Sequence, residues 1–201
     1  MDRLDGFRDP AVARSMVARI RRQVAERAEP VRLMEFCGGH THAIARYGIG
    51  DLLRPHVELL AGPGCPVCVT SATDIDRAIA LAEIPQVTVL TFGDMMRVPG
   101  SGGRSLYKAR AAGADVRIVY SPLDAVDIAV ANPDRECIML GVGFETTAPG
   151  VAAAMLQAET RNVPNFYLLS LHKLTPPAMQ AILDAGEVRL DGVIGPGHVS
   201  V

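Results

Sequence analysis

Apolar and polar positions follow two alternating rhythms along this chain. Short, nearly continuous apolar runs, such as VTVLTF, CIMLGV and FYLLSL, are separated by longer stretches in which apolar residues recur at helical spacing. Gly or Pro stands between many of them. After an amphipathic N-terminal stretch the pattern predicts strands at 31–37, 57–61, 87–92, 116–120, 137–142 and 166–171. A final strand begins at 193–194. Helices are predicted at 41–53, 73–83, 105–112, 123–131, 150–161 and 177–185. Strands that alternate with helices of this length form βαβ units and parallel sheets. Apolar character on both strand faces is expected when helices cover both sides. The predicted class is therefore α/β: repeated βαβ units forming two small parallel, Rossmann-like sheets. Residues 1–30 are expected as an N-terminal helical segment, 31–132 as a first α/β domain and 133–201 as a second, incomplete one. The seam is expected at Asn132–Asp134.

Composition narrows the function classes. Of 201 residues, 49% are hydrophobic and 21% charged, which describes a folded domain rather than a disordered chain. Twenty basic against 22 acidic residues leave a net charge of −2. That balance argues against a nucleic-acid footprint. The absence of Trp argues against a base-stacking platform. Arg19, Arg21, Arg22 and Arg27 read as a solvated helix face. No apolar run is long enough to span a membrane, and the first residues lack the apolar core of an export signal. A cytoplasmic location is the default expectation. In that compartment four cysteines read as ligands or redox groups rather than structural disulfides.

Three of those cysteines stand in motifs. Cys37-Gly38-Gly39-His40-Thr41-His42 falls where the first predicted strand gives way to a helix. A thiolate gains there from the positive end of the helix and its free N–H groups. Thiolate with imidazole suits iron, zinc or copper. The motif suits a metal or a nucleophilic role, with Cys37 and His40 the candidate metal ligands and His42 beside them. The plainer reading is a buried Cys with two capping or solvent-facing histidines. Gly62-Pro63-Gly64-Cys65-Pro66-Val67-Cys68 follows the second predicted strand. Its C-x-x-C spacing in a βαβ context reads as a thiol–disulfide pair. The alternative is half of a zinc site completed by Cys37 and His40. Cys137 begins an apolar strand and reads as an inert buried thiol.

Other polar groups recur at strand ends. Asp94 follows the third strand, Glu145, Thr146 and Thr147 the fifth, His172 the sixth and His198 the last. Each on its own reads as a helix cap. Together they can line a cleft, since ligands of open α/β sheets bind beyond the carboxyl ends of the strands. Asp94, Glu145 and the cleft histidines are the candidates to position groups or move protons. No dinucleotide fingerprint, Walker loop or G-x-S-x-G elbow is present.

CGGHTH, GPGCPVC, TFGDMMRVPG, GFETTAP and PGHVS occur in an order and spacing that resemble the HypD family of hydrogenase maturation factors. The resemblance runs from about Val31 to Val201. It implies a role in building the Fe(CN)2CO unit of [NiFe]-hydrogenases, together with a small HypC-type chaperone and a HypE-type cyanide donor. By the same resemblance Cys37 matches the cysteine of the iron-binding motif, with His40 beside it. Cys65 and Cys68 match the redox pair. Family members are longer, and their C-terminal part carries the cysteines of a [4Fe–4S] cluster that this sequence lacks. Ser71 stands where the family usually has proline. Two other classes stay open on the residues alone: a thiol–disulfide oxidoreductase acting through Cys65 and Cys68, and a zinc-stabilised binding module.

Overall fold

A computed structural model describes residues 9–67 and 69–195. In chain order the elements are α1 (Pro10–Val24), β1 (Val31–Glu35), α2 (Gly38–Arg46), α3 (Ile49–Leu53), β2 (Val57–Ala61), α4 (Ala72–Ala82) and β3 (Val87–Thr91). Two short 3-10 turns, Gly93–Arg97 and Ser101–Gly103, lead to α5 (Leu106–Ala111) and β4 (Val116–Ile118). Then follow α6 (Pro122–Ala131), β5 (Glu136–Gly141), α7 (Ala148–Thr160), β6 (Phe166–Ser170), α8 (Thr175–Ala185) and β7 (Gly192–Ile194).

The α/β class with two small parallel sheets is as expected: one sheet has the order β2-β1-β7 and the other β4-β3-β5-β6. Every pairing is parallel. The division of the chain is not the expected one. β5 pairs with β3 across the predicted seam at residues 132–134, and β7 returns to pair with β1. The compact units are therefore 1–64 with 179–201, and 65–178. A seam read from composition fails here because strand partnership is set by tertiary pairing, which a loop sequence does not encode.

Local chemistry accounts for the element ends. The predicted helix 41–53 is two helices, because Gly48 takes the left-handed conformation (φ 62°) between α2 and α3. Ser71 caps α4 by accepting the Asp74 N–H at 3.1 Å. A proline in its place has no such side-chain acceptor. Ser121 and Asp124 form a reciprocal capping box at the start of α6.

In the second unit β3 is buried at every position, as a central strand covered on both faces must be. Ile75, Ile79, Val89, Met95, Leu106 and Leu140 pack on one face. Leu90, Val126, Cys137, Met139, Ala154 and Phe166 pack on the other. Cys137 is fully buried, and burial pushes its thiol pKa up, which suits an inert core group. At the amino edge of this sheet Asp115 accepts from Arg117 and from the Thr88 hydroxyl, and Arg135 lies 3.2 Å from it.

Among the described residues of the first unit the buried apolar side chains are Met34, Phe36, Leu53 and Val57. α1 and α2 contain no buried residue. An open apolar cavity of about 480 Å3 lies between Ile20, Leu33, Ile44, Leu53, Leu59 and Ile194. No described helix is long and apolar enough to cross a membrane.

Candidate functional site

β1 and β2 are parallel neighbours in register, Glu35 opposite Ala61, so the loops that follow them leave the same rim of the first sheet. Cys37 is the N-cap of α2, in extended conformation (φ −163°), and its side chain caps no backbone group. Its carbonyl accepts the N–H groups of His40 (2.8 Å) and Thr41 (3.2 Å). The sulfur is thus left for other chemistry at the positive end of a helix. A Cβ on Gly39 would sit 3.5 Å from that sulfur, in ordinary van der Waals contact.

The second loop closes on the first through glycine backbone. Gly38 donates to the Gly64 carbonyl at 3.4 Å. A Cβ on Gly64 would lie 2.4 Å from the Gly38 nitrogen and 2.6 Å from the Cys37 carbonyl carbon. Only glycine permits that approach. Gly62 donates to the Glu35 carbonyl at 2.8 Å, and a Cβ there would also strike that oxygen.

Glu35 is a residue that reading the sequence missed. It is 1% exposed. One carboxylate oxygen accepts the Cys37 N–H at 2.9 Å, and the other accepts the Thr41 hydroxyl. The available signal was a lone acid closing the apolar run VRLMEF. It reads as a strand-end residue until the turn brings Thr41 back over it.

His40 is half-buried. It lines the apolar cavity of the first unit, and its Nδ1 is buried without a hydrogen-bond partner. His42 is exposed. Among the described residues no group of three or more His, Cys, Asp or Glu is arranged to hold a metal ion. Cys65 is half-buried and opens the second unit. Cys68 and His198 lie outside the described residues.

In the second unit the rim residues are committed locally. Asp94 accepts the Met95 N–H at 2.9 Å in its own 3-10 turn. Glu145 binds the start of α8, accepting the Thr175 N–H at 2.6 Å and the Thr175 hydroxyl at 2.9 Å. Burial raises its carboxyl pKa, but hydrogen bonds from its own backbone and from Thr175 outweigh that and hold it low. Thr146 is exposed. Thr147 donates to the Phe144 carbonyl at 3.1 Å and crowds Gly143, whose φ of 155° leaves no room for a Cβ. His172 packs over Gly141, with Nδ1 3.0 Å from the Ser170 hydroxyl and Nε2 buried and unpartnered. Burial lowers its pKa, so the imidazole is neutral at neutral pH.

The family model for HypD, described as the hydrogenase formation hypA family, matches residues 11–201. The chain belongs to the HypD family. The HypD of Azotobacter vinelandii is 53% identical over 205 residues, an alignment covering all of this chain and 54% of the relative. The HypD of Rhizobium leguminosarum bv. viciae is 51% identical over 209 residues, covering all of this chain and 53% of the relative. The HypD of Escherichia coli (strain K12) is 44% identical over 202 residues, covering 98% of this chain and 54% of the relative. Each is named a hydrogenase maturation factor. The chain spans about half the length of these curated HypD relatives.

Proposed function

We propose that this chain is the α/β portion of a hydrogenase maturation scaffold on which an Fe(CN)2CO unit is assembled, with Cys37 as its iron-holding thiol. The observation that carries the reading is the Cys37 loop. A half-buried thiol stands at a helix N-terminus, between two glycines and a docked glycine backbone, with no side-chain task of its own. Iron is cargo in this reading. Thiolate donates electron density to low-valent iron, and an incomplete donor set leaves positions for a HypC-type chaperone and for incoming CN⁻ and CO. A HypE-type protein delivers the cyanide, and the setting is cytoplasmic.

Cys65 and Cys68 act as a dithiol in this reading. Closing to a disulfide releases two electrons and two protons, and a thiol reductant or the [4Fe–4S] cluster expected of longer relatives restores the pair. Asp94, Glu145 and His172 sit beyond the carboxyl ends of their strands, where such sheets take ligands. His40 and His42 are further candidate residues of the first unit, Thr146 and Thr147 of the second, and His198 is a candidate on sequence alone. Glu145 acts by holding the loop to α8, since Thr175 occupies both of its oxygens.

Anaerobic co-purification with a HypC-type partner tests the reading, with iron analysis and infrared detection of metal-bound cyanide and CO. Cys37→Ala is expected to lose the iron. Full iron retention by that variant refutes the assignment. Turnover of a generic disulfide substrate that ignores Cys37 favours the oxidoreductase reading instead. Stoichiometric zinc whose removal unfolds the chain favours the zinc module.

A further inference from the structure

We infer that Glu35 is the positioning residue of the Cys37 thiol and the tie between the loops after β1 and β2. The inference rests on Cys37 being the metal-holding sulfur. Glu35 ends β1 and is the only acidic residue among the buried polar side chains described. Burying a carboxylate is costly unless hydrogen bonds satisfy it. Both of its oxygens are spent on the first turn of α2: one on the Cys37 N–H and one on the Thr41 hydroxyl. Its main-chain carbonyl accepts from Gly62. One residue therefore fixes the peptide nitrogen three covalent bonds from the sulfur, the turn that follows it, and the start of the neighbouring loop.

The geometry has a consequence for the thiol. Cys37 supplies no cap to α2, so the helix start is held by Glu35 instead. This division leaves the sulfur uncommitted while its backbone is fixed. With few buried apolar side chains nearby in the first unit, packing alone does not hold this turn. Removing the acceptors frees the Cys37 backbone, and a sulfur on a loose backbone meets its metal less often in the productive geometry.

The test uses the full chain with a HypC-type partner and three variants: Glu35→Gln, Thr41→Val and Cys37→Ala. The readouts are amide hydrogen exchange at Cys37, site-resolved alkylation of Cys37 and Cys137, and the thiolate-to-metal absorption band on anaerobic addition of Co2+. Glu35→Gln is expected to speed Cys37 amide exchange about tenfold. It is also expected to alter Cys37 alkylation but not that of buried Cys137, and to weaken the cobalt band. Thr41→Val keeps the carboxylate and is expected to give a smaller change in the same direction. It decides the matter if Glu35→Gln fails to fold. A cobalt band lost in Cys37→Ala but unchanged in Glu35→Gln, with Cys37 exchange also unchanged, overturns this inference alone. With Cys65 and Cys68 both replaced by Ser in every variant, a band that survives Cys37→Ala overturns the Cys37 reading, and this inference with it.

Discussion

The two units hold their loops by different means. In the second, apolar side chains fill both faces of a four-stranded sheet and β3 is wholly buried. Its rim loops therefore spring from a densely packed base. In the first, four buried apolar side chains among the described residues and an open apolar cavity accompany a three-stranded sheet. Its Cys37 loop is held by directional contacts: a buried carboxylate, a hydroxyl and glycine backbones that touch. Packing resists volume change, whereas hydrogen bonds to a buried acid resist loss of a partner. The two regions should thus fail under different substitutions.

The largest contrast is expected in the cores. Leu90→Ala opens a cavity in a fully buried site and is expected to cost about 2–5 kcal/mol. Ile44→Ala, at a half-buried position beside existing open space, is expected to cost about 1 kcal/mol or less. Urea denaturation of each variant measures both. Equal losses would erase the distinction between the units.

Next come the acids. Asp115 is held below its ordinary 3.8 by its hydrogen bonds from Arg117, which outweigh its burial. Asp191, in the first unit, is held low by the Arg32 N–H and by Arg27. Asp115→Asn is expected to cost about 1–2 kcal/mol at neutral pH, because charge-assisted bonds at a partly solvated site are lost. Asp191→Asn is expected to cost less. A carboxyl with a lowered folded pKa stabilises fully above its unfolded value. That contribution fades as pH falls through the folded value. The Asp115 penalty should therefore shrink as pH falls below 3.8 and vanish once pH is under the lowered folded value, and thermal melts against pH show whether it does.

The smallest effect concerns His172. Burial sets its folded pKa below 6.5. Below that pH the unfolded imidazole takes up a proton before the folded one, so stability declines as pH drops from 6.5 toward the folded value. His172→Gln is expected to remove this part of the decline and leave the acid limb due to Asp115 in place. A melting curve against pH with the same slope in both proteins would assign the decline to other histidines.

Much of the architecture was legible because the strands are apolar on both faces and the helices are not. Strand β2 runs over 57–61 and β3 starts at 87 as expected. The break at Gly48 and the return of β7 to β1 were not legible. The first depends on one glycine choosing a left-handed conformation, and the second on which edge of which sheet was free. At the site, Cys37 and the Gly62–Gly64 turn stood out as motifs. Glu35 did not, since a carboxylate's role depends on what folds back over it.

Taken alone, the order of residues determines the α/β class, the motifs that place the chain with HypD proteins, and the position of each motif just past a strand. Periodicity and glycine chemistry are local, and they survive without knowledge of the fold. Only the tertiary structure decided that residues 1–64 and 179–201 share a unit, that Glu35 holds Cys37, and that His40 lines an apolar cavity. Those outcomes join residues distant in the chain or opposite across a turn. They follow from strand pairing and burial, which depend on the whole chain at once.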